Sequence, residues 1–419
     1  MAEELLFLAH RMPYPPNKGD KIRSFHLLRY LSQRYRVHLG TFIDDEADWQ
    51  HVDIAQSFCA ESHFARLNPF TARLRSLSGL LTGQALTLPY YRNAGLQQWV
   101  NDLLANHPVR RILVFSSAMA QYVRQADGTR RVIDFVDVDS DKWRQYAETK
   151  RWPLSWLFRR EAERLLRYER EIAREFDAAL FVSREEAEMF KQLAPESANK
   201  TGYFSNGVDA GYFSPEREYP NPYPEGEQVL AFTGAMDYWP NVDAVRWFAE
   251  EIFPTLYVDR PQTRFYIVGS RPAPAVCELA RLPGITVTGT VADVRPYLAH
   301  ARIAVAPLRI ARGLQNKVLE AMSMAKTVVA SPQAAEGIQA ALGSELHVAA
   351  SAGEFRQKIL DLLAGKVSEQ TGNAARARIL ADYDWNSCLA QVDALLAETP
   401  ASRPAQRANH TAALGEINP

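Results

Sequence analysis

IAVAPLRIARGLQNKVLEAMSMAKTVVAS, running from Ile303 to Ser331, contains a whole strand–helix–strand unit. A short apolar strand (Ile303–Ala306) ends in Pro307, and the basic Arg309 follows. Gly313 then opens a helix carrying Lys317 and Glu320, and a second strand (Thr327–Ala330) closes the unit. Free N–H groups at a helix start, together with its dipole, favour an anion there, and Lys317 and Arg309 add full charges. Glu320 follows Lys317 by three residues, so the two share a helix face. One face thus offers a phosphate partner and a hydroxyl acceptor about a turn apart, which suits a nucleoside diphosphate with its ribose.

Strand-like runs alternate with helical patterns on both sides of this unit, which predicts parallel sheets covered by helices on both faces. In the first half the strands are Leu5–Ala9, Val37–Phe42, His63–Leu67, Arg111–Phe115, Arg131–Phe135 and Ala178–Val182, with helices clearest at Lys21–Arg34, Gly95–Asn106 and Ser155–Phe176. In the second half they are Val229–Thr233, Arg264–Val268, Ile285–Thr288, the two strands already quoted, and His347–Ala349. Between the halves, residues 206–227 carry Pro215, Pro220, Pro222 and Pro224 and no apolar period, so they read as a linker. The expected organisation is an α/β protein: a Rossmann-like domain over 1–205, the linker, a second Rossmann-like domain over 228–382, a helix over 383–398 and an unstructured tail over 399–419. Two such doubly wound sheets place a ligand cleft at the carboxyl ends of their strands.

Composition narrows the partners. The 419 residues contain 48 Lys+Arg against 49 Asp+Glu, a net charge of −1, so no global basic field argues for nucleic acid. Cys59, Cys277 and Cys388 are far apart and fit neither zinc spacing nor a disulfide framework, which predicts a reducing compartment and no bound metal. The apolar run Leu5–Ala9 is too short for a secretory signal, and no apolar run is long enough to span a bilayer. A cytoplasmic protein is expected, associated with a membrane at most through peripheral contact at its inner face.

A second strand–helix turn, Pro13–Lys21, carries Gly19 with Lys18 and Lys21, and a glycine there lets backbone approach a ligand. The spacing is not that of a dinucleotide fingerprint, so a nicotinamide dehydrogenase is disfavoured. His10 ends the first strand and His26 lies on the following helix; both are candidates to line the cleft. Asp137, Asp139 and Asp141 superficially copy a calcium loop, but Lys142 stands where that loop needs glycine. Asp139 or Ser140 reads as a helix cap, with Asp141 complementing the dipole. Asp137, at its strand's carboxyl end, is a candidate acid/base or acceptor-binding residue. Arg151–Arg160 and Arg66–Leu81 mix basic and apolar residues, which suits either a membrane interface or packing within the domain.

Seven stretches together resemble one template: NKGDKIR (Asn17–Arg23), FVSREE (Phe181–Glu186), SNGVD (Ser205–Asp209), FTGAMDYWPNVDAVRWF (Phe232–Phe248), RFYIVGS (Arg264–Ser270), residues Ile285–Leu308 and NKVLEAMSMAKTVVAS (Asn316–Ser331). The chain resembles the GT-B retaining glycosyltransferases of family 4, and most closely the sugar transferases of PEP-CTERM/exosortase exopolysaccharide loci. That resemblance implies a sugar nucleotide as substrate, no cofactor or metal, and a saccharide or lipid-linked acceptor. It implies that Glu320 holds the donor ribose and that Gly313, Leu314 and Gln315 lie under the sugar and diphosphate. It further implies that Gly19 approaches the diphosphate from the other domain and that Gly289, Thr290 and Val291 lie by the base. Arg309 or Lys317 is left to neutralise phosphate, because Arg312 occupies the place of the family's first glutamate. Ala325-Lys326-Thr327 replaces the usual small-residue turn, and Asp137 falls near the place of an N-domain histidine. A nucleotide-sugar epimerase and a non-catalytic sugar-nucleotide binder are the alternatives on the same fold.

Overall fold

The computed structural model describes residues 3–16, 19–124, 126, 128–311, 314–365 and 370–397. The tail expected over 399–419 lies outside the described residues. In the first half the strands are β1 (Glu4–Ala9), β2 (Arg36–Ile43), β3 (Glu61–Arg66), β4 (Arg111–Phe115), β5 (Arg130–Val136), β6 (Ala178–Phe181) and β7 (Thr201–Tyr203). They form one sheet in the order β3-β2-β1-β4-β5-β6-β7, and every pairing is parallel. In the second half are β8 (Gln228–Thr233), β9 (Thr263–Val268), β10 (Ile285–Gly289), β11 (Ile303–Ala306), β12 (Val328–Ala330) and β13 (His347–Val348). These pair in parallel in the order β10-β9-β8-β11-β12-β13. Both orders reverse beside their first strand, which opens a crevice at the carboxyl ends of β1 and β4 and of β8 and β11.

Unbroken apolar runs make the central strands. Leu5–Ala9 is fully buried because helices cover both faces of its sheet, so no alternation with polar residues is required. One face packs on the helices Ala94–Asn106 and Leu154–Glu175, through Leu96, Val100, Leu165 and Ile172. The other face is covered by Leu27, Leu28 and Leu31 of the Gly19–Ser32 helix and by Trp385, Leu389, Val392 and Leu396.

Those last four residues belong to the helix Trp385–Ala397, so the C-terminal helix completes the core of the N-terminal domain. Arg111 Nε and Arg130 Nε donate to the carbonyls of Leu396 and Leu395 at 2.9 Å each, and Tyr35 Oη donates to Asp393 Oδ1 at 2.6 Å. The chain therefore crosses between domains twice, and the crossings lie side by side. Val208 N donates to Tyr383 O at 2.8 Å, and Val208 bridges Asp384. Gly207 permits this approach: a Cβ there would lie 2.9 Å from both Tyr383 O and the Trp385 ring.

Strand β7 is absent from the sequence reading. Thr201–Tyr203 is three residues with a central glycine, too short to show a period, and it forms by pairing with Ala179–Phe181.

Candidate active site

In the C-terminal domain the helix Asn316–Ser323 follows β11 and starts at Gln315, whose side chain makes no cap. Val318 N and Leu319 N donate to the Gln315 carbonyl at 2.9 and 3.3 Å, which leaves the N–H groups of Asn316 and Lys317 as the donors of the helix start. Lys317 and Glu320 project from the first two turns, both half-buried. Lys317 Nζ donates to Asn241 Oδ1 and stands 4.8 Å from the centre of the Phe232 ring. Burial pushes its pKa down to about 8, against the opposing field of Glu320. Burial likewise pushes the Glu320 carboxyl up to about 7, with Lys317 pulling the other way. No described residue lies within 4 Å of Lys317 Nζ as an ion-pair partner, and the Glu320 carboxylate accepts no hydrogen bond from any described residue. Among the described residues, then, the ammonium has a neutral amide partner but no counter-ion, and the carboxylate one turn on has no hydrogen-bond donor.

Asn241, on the helix Trp239–Trp247, ties this helix to the turn after β8. While its Oδ1 accepts from Lys317, its Nδ2 donates to Ala235 O at 2.9 Å. Gly234 begins that turn. A Cβ on it would stand 2.7 Å from Asn241 Nδ2, so a side chain there would clash with the residue that holds the lysine, while Lys317 Cε at 3.5 Å is in ordinary contact. Neither Gly234 nor Asn241 stands out in the sequence as a site residue. The available signal is a glycine at the end of the first strand of a doubly wound unit. Tyr212, from the linker, carries the Arg295 guanidinium over its ring at 3.7 Å.

The remaining donor-side candidates divide. Leu314 packs on the domain core, and Gln315 starts the helix. Arg309 does not stand free: its Nε donates to Asp243 Oδ2 at 3.0 Å and its Nη2 to Oδ1, so its charge is already matched. Gly289 ends β10 with φ +69 and open space where a side chain would go; Thr290 is exposed, and Val291 packs among Tyr223, Tyr266 and Tyr297. Gly313, with Arg312, lies outside the described residues, as does Lys18. The departure at Ala325 has a clear structural counterpart. Ala325 adopts φ +53, a backbone that glycine takes without strain, and Gly372 packs so closely that a Cβ would clash with Ala325 O.

On the N-terminal side Gly19 starts its helix with nothing within 4 Å of a would-be Cβ, so its backbone is approachable. Lys21 is not a cleft cation. It is buried, with Nζ donating to Asp48 Oδ2 at 2.5 Å. His10, at the end of β1, stacks on Phe115 with ring centres 5.7 Å apart, and its Nε2 is 3.5 Å from Asp20. Its buried Nδ1 has no partner among the described residues. His26 stacks on Trp385 at 4.5 Å, and burial pushes its pKa down to about 4. It therefore belongs to the seam with the C-terminal helix, away from Lys317 and Glu320.

Asp137 is set by a device that the sequence conceals. The β5–β6 pairing slips between Asp134 and Val136, and Val136 takes φ +72, which is unusual for a β-branched residue. Asp134, fully buried, supports this kink: Oδ1 accepts from Val136 N at 3.1 Å, and Oδ2 accepts from Arg23 Nε at 2.7 Å. Arg23 also donates to the Phe204 carbonyl and to Asn206 Oδ1, each at 3.0 Å. The expected cap at Asp139 or Ser140 is not formed, because the helix Asp139–Thr149 begins after Val138 without a side-chain cap. Carboxylates from other helices serve instead: Glu186 accepts from Val138 N at 2.7 Å, and Glu169 accepts from Ser140 N and Oγ. Asp139 is thereby left without a capping role beside Asp137, and burial raises its pKa.

With both sheets parallel and both crevices built, the C-terminal domain matches a known family. Residues 227–365 match the family described as glycosyl transferases group 1. The matched segment holds Gly234, Asn241, Lys317 and Glu320. Solved structures share the fold across both domains. Sucrose-phosphate synthase from Thermosynechococcus elongatus is similar at 16% identity and a TM-score of 0.64, over 94% of this chain and 98% of that one. HepE from Anabaena, in complex with UDP and glucose, is similar at 15% identity and a TM-score of 0.62, over 94% and 99%. WaaG, a glycosyltransferase involved in lipopolysaccharide biosynthesis, is similar at 15% identity and a TM-score of 0.59, over 94% and 99%. No curated protein sequence matches the chain. The architecture is the GT-B fold of glycosyltransferases.

Proposed function

We propose that this protein transfers a sugar from a nucleoside-diphosphate donor to a hydroxyl of a saccharide or lipid-linked acceptor, in exopolysaccharide assembly at the inner face of a membrane. The observation that carries the reading is the Glu320 carboxylate, without a hydrogen-bond partner among the described residues, one turn along from the Lys317 ammonium on a helix whose start, after β11, has no side-chain cap. Support comes from the family match over the same residues and from the UDP and glucose bound by Anabaena HepE.

In this reading Glu320 accepts hydrogen bonds from the ribose hydroxyls. Lys317 and the free N–H groups of the helix start take the diphosphate, with the Gly234 turn and Gly19 closing on it. As the bond from the anomeric carbon to phosphate breaks, negative charge grows on the leaving diphosphate and positive character on the sugar. Lys317 is placed to stabilise the first without reorganisation. Asp137 and His10 bind the acceptor and orient its hydroxyl. Closure of the two domains keeps water from the anomeric carbon. Transfer proceeds with retention and without a metal ion, in line with the resemblance to family 4.

The test is a thermal-shift screen of UDP, GDP and ADP and their sugars, followed by transfer assays on lipid-linked acceptors with NMR of the product's anomeric configuration. Glu320→Ala and Lys317→Ala are expected to abolish transfer with the fold intact. Full transfer by both variants, or acceptor-independent conversion of the donor to a stereoisomer, would overturn the assignment.

A further inference from the structure

Beside the helices Ala94–Asn106 and Leu154–Glu175 of the N-terminal domain lies a cavity of about 560 Å³ lined by Arg92, Arg124, Arg164, Arg167, Tyr168 and Glu171, among others. Arg124 is matched by Glu175 and Glu171. Arg164 and Arg167, one turn apart on the Leu154–Glu175 helix, pair with no described residue. Tyr168, next to Arg167, is 6% exposed, and its buried hydroxyl has no hydrogen-bond partner among the described residues. Two guanidinium groups and a hydroxyl without partners among the described residues thus share one cavity wall, and such groups gain most from an oxygen-rich anion. The chain as a whole carries a net charge of −1, so this concentration of positive charge is local.

The rim of the cavity continues into an apolar ridge. Phe70, Leu74, Leu77 and Leu81 are 70%, 56%, 50% and 92% exposed, and they recur at helical spacing across the consecutive helices Pro69–Ser76 and Ser78–Thr82. Gly83 and Gln84, directly after the ridge, line the cavity. The ridge is fixed to the arginine-bearing helix. Arg160 Nη2 donates to Gly79 O at 2.6 Å, and Glu161 accepts from Leu86 N and Thr87 N at 2.6 and 3.0 Å. Trp156, 56% exposed, stands at the start of the same helix.

We propose that this face docks on a bilayer containing anionic phospholipid. The phosphate of one lipid enters the cavity against Arg164, Arg167 and Tyr168, and the Phe70–Leu81 ridge and Trp156 enter the apolar layer beside it. Basic residues at the polar level next to apolar and indole groups match the layering of a membrane interface. The docking face does not depend on the sugar-transfer reading, because it uses none of the residues of the cleft.

The test is flotation with vesicles of phosphatidylcholine alone or with about 30 mol % phosphatidylglycerol, which carries the negative charge of the lipid surface. Binding is measured without sugar nucleotide, and circular dichroism confirms that each variant is folded. Wild type is expected to float with the anionic vesicles only, and less so at high salt. Arg164→Gln/Arg167→Gln should lower the partition coefficient about 25-fold, about fivefold for each surface arginine. Leu77→Glu/Leu81→Glu should abolish flotation while keeping any thermal shift produced by glycerol 3-phosphate. Absence of wild-type flotation, or flotation unaffected by the arginine changes, would overturn the proposal. An Arg164-dependent thermal shift with glycerol 3-phosphate and no flotation would also overturn it, by assigning the cavity to a soluble phosphate compound.

Discussion

Replacing Lys317 by Met should make the protein more stable at neutral pH and a weaker binder of a nucleoside diphosphate. In the wild type, burial lowers the lysine pKa from 10.5 to about 8. At about 1.4 kcal/mol for each pKa unit, holding the charge below pH 8 costs about 3 kcal/mol. Methionine fills a similar volume over the Phe232 ring but leaves Asn241 Oδ1 without its donor, a loss of about 1–2 kcal/mol. The net gain is about 1–2 kcal/mol, a rise in melting temperature of about 3–6 °C for a domain of this size. The sign depends on pH. Between about 8 and 10.5 the unfolded chain binds more protons than the folded one, so wild-type stability climbs with pH. Above 10.5 the charge penalty is gone, and the variant should be the less stable protein. Melting by circular dichroism at pH 7 and near the upper end of that window measures both arms. Calorimetric titration with the best-binding nucleoside diphosphate should show affinity lower by about 30–150-fold, the loss of one charge-assisted contact of about 2–3 kcal/mol. A variant that melts below wild type at neutral pH, or that binds the diphosphate undiminished, would refute the reasoning.

Glu320→Gln should weaken nucleotide binding about 10–100-fold by replacing a charged acceptor with a neutral one; loss of discrimination between ribose and 2′-deoxyribose nucleotides is the diagnostic readout. Asp134→Asn breaks the buried pair with Arg23, and a loss of about 3–5 kcal/mol is expected in calorimetry. Because Asp134 also supports the kink before Asp137, transfer should fall even well below the melting transition. Ala325→Gly relieves a left-handed alanine worth about 1–2 kcal/mol, less the added freedom of the unfolded chain, so a net gain of about 0.5–1 kcal/mol should appear on denaturation. Trp385→Ala should cost about 3–5 kcal/mol and lower the melting of the N-terminal domain, whose core it completes. A shift confined to the C-terminal domain would contradict that placement.

Much of the fold is legible in the sequence because buried parallel strands leave continuous apolar runs. β1, β4, β8 and β9 are read within one residue of their observed ends for that reason. Lys317 and Glu320 are legible because helical spacing alone puts them on one face. The illegible parts depend on partners distant in sequence. Lys21 looks like a cleft cation until Asp48, 27 residues away, folds onto it. Asp139 looks like a cap until Glu169 and Glu186 arrive from two other helices. Arg309 looks free until Asp243 neutralises it. His26 looks like a cleft residue until Trp385, at the far end of the chain, stacks on it. Local pattern reports which backbone forms; it does not report which charges find each other.

The helix Trp385–Ala397 has a consequence for biosynthesis. As the chain leaves the ribosome, strands β1 to β7 are complete by about residue 203, yet one face of their sheet still lacks Trp385, Leu389, Val392 and Leu396. The whole second domain must be translated before that face is closed, so a half-covered apolar sheet is exposed to solvent and to chaperones meanwhile. The C-terminal domain is topologically an insertion, tethered at both ends, and a ribosome stalled before residue 385 releases a first domain that has its strands but not its lid.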